Sequence, residues 1–167
     1  MEKDPALQVS GSGEPSPKRL ARICIVAIEI EGPFFNGGVG STNRWLALAL
    51  RRMGHAVDIV YTQVSEGQPV CLQGTFAGHV AEYARHGLSL RAIFNLSKID
   101  DWPSRSWLVM QHLIAERYDL VFFDDIFGTA YYPLLARQTG APSLSGTVMV
   151  VTAHGVLEWV SEQEETA

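Results

Sequence analysis

Glycines, carboxylates and a histidine follow predicted strands of this chain, in positions where such residues could do chemistry. A glycine turn lies between an apolar strand predicted for residues 23–28 and a helix predicted for residues 43–53. Such a turn lets bare backbone N–H groups approach a phosphate, and the helix dipole favours negative charge. It predicts a nucleotide or sugar-phosphate ligand, whereas a turn required only by backbone conformation is the alternative. The turn consists of Gly37, Gly38, Val39 and Gly40.

Two adjacent carboxylates and a histidine follow later strands. Asp124 and Asp125 come directly after a strand predicted for residues 120–123, and His154 follows one predicted for residues 148–152. Because successive strand residues face opposite sides of a sheet, we expect only one of the two carboxylates to point into a cleft. A helix cap or a solvated loop is the alternative for the aspartates, and a capping or core position is the alternative for the histidine.

The pattern of apolar residues predicts strands that alternate with helices along the chain. This alternation is typical of an α/β fold, in which helices flank a parallel sheet in a Rossmann-like arrangement. Ligands of such sheets bind at the carboxyl ends of the strands, so we expect the loops at residues 29–40, 124–128 and 154–159 to share one edge. The predicted strands are residues 22–28, 56–61, 88–94, 120–123 and 148–152, and the predicted helices are residues 43–53, 79–86, 103–116 and 128–138.

The helix after the glycine turn has a predicted cap and a predicted apolar face. Ser41 or Thr42 could cap its first turn, and Gly54 suits its end. Residues 64–78 show no clear periodicity and are predicted to form a loop. Side chains at helical spacing that we expect to face the core are Leu46, Ala49, Leu50 and Met53.

Composition sets limits on the class of protein. The 167 residues are 47% hydrophobic and 19% charged, with a net charge of -5, which indicates one folded domain and disfavours a nucleic-acid platform. Cys24 and Cys71 lack metal-site spacing, so we expect free thiols and no metal. No apolar run reaches the ~20 residues of a membrane span, which favours a cytoplasmic location. We expect a flexible leader at residues 1–20, the domain at residues 21–160 and a polar tail at residues 161–167.

The glycine turn does not complete a dinucleotide fingerprint. After Gly38 and Gly40 the third glycine is absent, and the second strand ends at Tyr61 and Thr62 without the expected carboxylate. No phosphate loop of the G-K-[ST] type is present. Binding of NAD and hydrolysis of ATP are therefore disfavoured.

Three ordered segments resemble the N-terminal, acceptor-side domain of GT-B glycosyltransferases of the family 4 or 5 type, a group that is related to glycogen and starch synthases. The first combines residues 31–33 and 37–40 with the helix end at residues 54–57. The second is residues 118–125, and the third is residues 151–155. The order and approximate spacing of the segments agree with that family over residues 22–160.

The resemblance implies roles for the residues singled out above. The glycine loop, residues 37–40, would lie beside the diphosphate of a nucleotide-sugar donor, and Glu31 would shape that loop or contact substrate. His154 would bind the donor sugar, and Asp125 would bind a hydroxyl of the carbohydrate acceptor. Phe122 and Asp124 stand where the family usually has histidines. No metal or other cofactor is implied.

The resemblance also implies half of an active site. In this family a second Rossmann-like domain holds most of the donor, so we expect a retaining enzyme of carbohydrate biosynthesis that needs a donor-binding domain or subunit. Two other functions remain open, a non-catalytic carbohydrate-binding or partner-binding module and a flavodoxin-like nucleotide-binding protein. Aromatic residues that could line a sugar cleft or belong to the core are Trp102, Trp107, Tyr131, Tyr132 and Trp159.

Overall fold

The computed structural model describes residues 20–34, 37–93 and 101–154. Residues 1–19 of the predicted leader, the predicted tail and residues 155–159 of the third predicted loop lie outside these ranges. The strands are β1 (Arg22–Ala27), β2 (Ala56–Tyr61), β3 (Val64–Ser65), β4 (Gln68–Pro69), β5 (Ser89–Ala92), β6 (Leu120–Asp124) and β7 (Val148–Thr152). The helices are α1 (Gly38–Arg52), α2 (Phe76–Arg85), α3 (Trp102–Glu116) and α4 (Tyr131–Gln138), with a short 3-10 helix at Pro142–Leu144.

Five parallel strands form the central sheet in the order β5-β2-β1-β6-β7. Strand β1 lies in the middle, and its residues from Ile23 to Ala27 are all buried because helices cover both faces. The predicted α/β, Rossmann-like fold is confirmed. The strand order reverses between β1 and β6, and this reversal leaves a crevice at the carboxyl ends of those two strands.

Helices pack on both faces of the sheet. Alternate residues of β1 divide between two cores, with Ile25 and Ala27 facing α1 and α2, and Cys24 and Val26 facing α3. This alternation follows from the pleat of the strand.

Within the described part of the chain, no helix has the length and apolar character needed to span a membrane.

Helix α1 begins earlier than the sequence predicts. Its first turn contains Gly38, and Gly37 occupies the cap position without any side-chain cap. The predicted caps are therefore wrong: Ser41 and Thr42 lie inside the helix, where the Thr42 hydroxyl donates to the carbonyl of Gly38 at 2.9 Å. Glycine has a low helix propensity, so Gly38 and Gly40 disfavour a helical first turn. Contacts made by later residues of α1 must therefore hold this turn in helical geometry.

The predicted apolar face of α1 is also partly wrong. Ala49 and Met53 are exposed, whereas the buried positions are Gly40, Asn43 and Ala47. This buried face has helical spacing but includes a glycine and a polar amide, which no hydrophobic pattern counts.

Two other elements differ from the prediction. Residues 64–78 contain a short antiparallel hairpin of β3 and β4, and α2 begins at Phe76 because the Thr75 side chain accepts from the N–H of Gly78. Helix α4 begins at Tyr131 instead of residue 128, since Phe127 and Gly128 adopt positive φ angles in a turn.

Candidate functional site

A buried hydrogen-bond network occupies the crevice between β1 and β6. The Asp124 side chain ends β6 and is only 4% exposed. The side-chain amide of Asn43 donates to Asp124 Oδ2 at 3.0 Å and to the carbonyl of Glu29 at 3.0 Å. One amide of α1 therefore binds the chain at the carboxyl ends of both central strands.

His154 is fixed at this edge by two consecutive carboxylates. Its ring nitrogen Nε2 lies 3.0 Å from Asp124 Oδ1, and its backbone N–H donates to both oxygens of Asp125 at 3.2 Å. The register of β6 and β7 pairs Asp124 with Thr152, which places His154 just beyond that pair. The structure thus brings His154, Asp124 and Asp125 together, as the parallel sheet predicts.

The two aspartates have different tasks. Asp124 orients the imidazole ring, whereas Asp125 holds the backbone of the loop that carries it. Burial raises the pKa of Asp124, although hydrogen bonds from Asn43 and His154 act in the opposite direction. When Asp124 is ionised it can only accept, so Nε2 of His154 carries the proton of this bond, and in a neutral imidazole Nδ1 is then the acceptor of the ring.

The glycine turn lies at the same edge, in the first turn of α1. From Gly38 to Asn43 the rise along the helix is roughly 7.5 Å, which places the start of α1 close to the Asp124 network. Gly37 and Gly38 are exposed, and neither adopts the left-handed conformation that favours glycine: the φ angle of Gly37 is 164°, which is extended backbone, and Gly38 is helical. A methyl group built on either would meet no atom of the described residues within 4 Å, so packing within this part of the chain does not require glycine at these two positions.

The start of α1 also presents backbone hydrogen-bond donors. The first N–H groups of a helix have no partner within the helix, and the helix dipole adds partial positive charge there. Val39 and Gly40 complete this first turn, and the carbonyl of Gly40 accepts from the N–H of Glu31 at 3.2 Å. The geometry suits a ligand that carries negative charge.

Glu31 binds the loop after β1 to the helices. Its carboxylate pairs with Arg44 Nη1 at 2.5 Å and accepts from the Ser41 hydroxyl at 3.4 Å. Its carbonyl accepts from the hydroxyl of Tyr83 at 2.6 Å. A cavity of about 420 Å³ adjoins it, lined by Glu31, Gly32, Leu72, Gln73 and His79. Glu31 therefore shapes the wall of a cleft beside the site.

Two members of the network were not singled out for these roles from sequence. The sequence predicts Asn43 only as the first residue of a helix, and of the two adjacent aspartates it is Asp125, not Asp124, to which the resemblance gives a role. A polar residue at the buried spacing of α1, just after a glycine turn, is the signal that could have identified Asn43. Within the described ranges, His, Cys, Asp and Glu side chains form no group of three or more that could hold a metal ion.

Comparison with models of protein families assigns the chain to a family. The family model described as glycosyl transferase 4-like domain matches residues 37–166, which is most of the sequence. The chain belongs to this glycosyl transferase 4-like family. A comparison with curated proteins gives no match.

Membership of the glycosyl transferase 4-like family agrees with the fold. The parallel sheet with helices on both faces is that of an N-terminal, Rossmann-like half of a GT-B glycosyltransferase. This match favours a glycosyltransferase module over the two alternatives left open by the sequence, the non-catalytic binding module and the flavodoxin-like protein.

Proposed function

We propose that this glycosyl transferase 4-like domain is the acceptor-side half of a retaining, nucleotide-sugar-dependent glycosyltransferase similar to glycogen and starch synthases. One observation carries the proposal. The open start of α1 and the His154 ring lie at the same edge of the sheet, joined through Asn43 and Asp124. A diphosphate and the sugar attached to it could therefore be bound side by side.

The start of α1 would bind the donor diphosphate. The exposed backbone of Gly37 and Gly38 lets phosphate oxygens approach the first N–H groups of the helix. These groups stabilise negative charge as it develops on the departing diphosphate, and they are already oriented before the reaction. Glu31 would contribute by holding the neighbouring loop in place.

His154 and Asp125 would bind the reacting sugars. Asp124 directs Nε2 of His154 inward, so Nδ1 can accept a hydroxyl of the donor sugar. Asp125 uses both oxygens for the backbone of His154, but each carboxylate oxygen has more than one acceptor position. The carboxylate can therefore also accept a hydroxyl of the carbohydrate acceptor and position it for transfer.

A donor-binding domain would complete the site. Arg44 is the cation in the second turn of α1, and its guanidinium is already paired with Glu31 and Glu82. The positive charge that neutralises a leaving diphosphate would then come from a second domain, on this or another polypeptide. We propose that this chain alone binds donors weakly, transfers little or no sugar, and acts in carbohydrate biosynthesis in the cytoplasm.

Binding of nucleotide sugars to the 167-residue chain tests this proposal. Calorimetric titration with UDP-glucose, ADP-glucose and GDP-mannose should give saturable binding of at least one donor. The His154→Ala variant should bind that donor roughly three- to tenfold more weakly, because about one hydrogen bond is lost. His86→Ala is the matched control, since His86 is exposed at the end of α2. Failure of all three donors to bind, or equal weakening by both substitutions, would contradict the proposal.

A further inference from the structure

Five aromatic side chains form an exposed cluster at the start of α3 and α4. Trp102 and Trp107 are each 47% exposed, Phe127 is 62% exposed and Tyr131 is 50% exposed, while Tyr132 is half-buried beside them. We call this cluster the aromatic platform. Large apolar side chains grouped on a surface in this way commonly mark a binding site.

Four of the five rings of the platform hold one another in position. Trp102 contacts Tyr131 at a centroid distance of 5.4 Å, Tyr131 contacts Tyr132 at 5.1 Å, and Tyr132 contacts Trp107 at 5.6 Å. Each pair is close to perpendicular, which is a favourable arrangement for aromatic rings. The platform is therefore built before any ligand binds.

A buried serine supports the platform from below. The Ser106 hydroxyl accepts from the N–H of Tyr132 at 2.9 Å and donates to the carbonyl of Thr129 at 3.1 Å. This bond fixes the start of α4 against α3. Between Trp107 and Tyr132 lies a cleft of about 240 Å³, which is also lined by Pro103, Ser104 and Leu108.

The platform combines apolar ring faces with unused polar groups. Within the described residues, the indole N–H groups of Trp102 and Trp107 and the hydroxyls of Tyr131 and Tyr132 have no hydrogen-bond partner. A pyranose ring presents C–H groups on its faces and hydroxyls around its rim. Such a ring can stack on an aromatic face while its hydroxyls bond the indole and phenol groups.

The platform adjoins the candidate site. Asp125 is followed directly by the turn that contains Phe127 and leads into α4. Gly128 of that turn packs so closely on Trp102 that an added Cβ would lie 3.1 Å from the indole. A carbohydrate that reaches Asp125 would therefore meet the platform next.

The surrounding charge favours a carbohydrate over a membrane surface. A membrane-binding aromatic patch is usually bordered by several basic residues that attract anionic lipid. Here the described neighbours at the start of α3 are one cation, Arg105, whose guanidinium lies 5.9 Å from the Phe127 ring, and one anion, Asp101. The described part of the rim is thus mixed in charge and suits a neutral ligand.

We propose that the aromatic platform binds the pyranose rings of a neutral oligosaccharide acceptor next to the candidate transfer site. This inference rests on the proposed function, because it assumes that the acceptor is a carbohydrate. The platform holds the acceptor beyond its reacting unit, and Asp125 receives the hydroxyl at its end.

Titration of the 167-residue chain with maltohexaose, cellohexaose and chitohexaose tests the platform, read out by tryptophan fluorescence and by the indole N–H signals in NMR spectra. We expect saturable binding of at least one of them, with a Kd of about 1 mM or below. Trp107→Ala and Trp102→Ala should each raise that Kd about tenfold, and Trp107→Phe should give a smaller increase because a ring remains. Trp45→Ala should leave it unchanged, since Trp45 is 61% exposed on α1, across the sheet from the platform.

Each contrary outcome would overturn the platform. One is the absence of saturation by all three oligosaccharides up to about 20 mM. Another is equal weakening by Trp45→Ala. A third is that the platform variants bind oligosaccharide normally but no longer bind vesicles of phosphatidylcholine and phosphatidylserine, or no longer self-associate. The assay contains no nucleotide sugar, so it is independent of donor binding. If oligosaccharide binding depends on the platform but no donor binds, the proposed sugar transfer is rejected and the platform stands as a carbohydrate-binding site.

Discussion

At the residue scale, the adjacent carboxylates of β6 show how one strand end supports two tasks. Asp124 lies in the buried network and Asp125 lies half-buried beside it, because successive side chains leave the strand on opposite sides. The buried member orients the histidine ring, and the half-buried member holds the backbone N–H of His154 while its oxygens retain further acceptor positions. The burial of Asp124 should be detectable in the pH dependence of folding stability, without any substrate.

Asp124 should make folding stability depend on pH in a particular direction. Its pKa is raised from 3.8 mainly by burial, so the folded protein favours the protonated carboxyl more than the unfolded chain does. Relative to Asp124→Asn, the free energy of unfolding of the wild type should be highest below pH 3.8 and should fall as the pH rises through the folded-state pKa. Urea unfolding of both proteins across this range measures the difference.

Asp101→Asn provides a control of opposite sign. Asp101 caps α3, and its hydrogen bonds with Ser104 lower its pKa below 3.8. Its stabilising effect is therefore present above pH 3.8 and is lost as the pH falls through the folded-state pKa. Difference curves that run in the same direction for both variants would contradict the assignment of Asp124 as a buried, desolvated carboxyl.

At the element scale, a substitution in the first turn of α1 should affect folding stability and ligand binding in different ways. Gly38 has helical geometry and open space around its Cα, so alanine should fit there. We expect Gly38→Ala to leave the free energy of unfolding unchanged or to raise it by up to about 1 kcal/mol, because alanine favours helix. The added methyl group should nevertheless weaken UDP or ADP binding about tenfold, since it stands where phosphate would approach.

Gly146→Ala is the matched control for this test. Gly146 also has open space and no positive φ angle, but it precedes β7, at the edge of the sheet away from the site. Calorimetric titration and urea unfolding of both variants supply the two quantities. Unchanged diphosphate affinity in Gly38→Ala would show that the ligand does not approach the first turn of α1.

The same helix shows what sequence can and cannot predict. Strands β2 and β7 have the predicted bounds, because each is a short run rich in β-branched residues, and such a run can be recognised from the local sequence. The start of α1 could not be predicted in this way, since Gly37 offers no capping side chain and the helix is held by distant contacts. The bond from Asn43 to Asp124 joins residues far apart in the chain, so only the fold reveals it.

At the scale of the whole molecule, the two edges of the sheet differ in composition. The carboxyl edge carries the candidate site, and a charged cluster near the amino edge joins β1, β2 and α3. Arg22 pairs with Asp58 at 3.0 Å and with Glu116 at 2.7 Å, and its guanidinium lies 4.6 Å from the centre of the Tyr118 ring. This cluster binds the elements together at the end where no ligand is expected.

Tyr118→Phe should therefore change stability without changing the site. The Tyr118 hydroxyl donates to Asp58 at 2.9 Å and lies 3.2 Å from Nε2 of His112. Its removal should lower the free energy of unfolding by about 1 kcal/mol, as for a typical buried hydrogen bond. Tyr131→Phe, which removes an exposed hydroxyl, should change it by less than about 0.5 kcal/mol. Urea unfolding compares the stability of the two variants. Nucleoside-diphosphate binding should be unchanged in Tyr118→Phe. Equal destabilisation by both substitutions, or loss of that binding in Tyr118→Phe, would show that the two edges of the sheet are not independent.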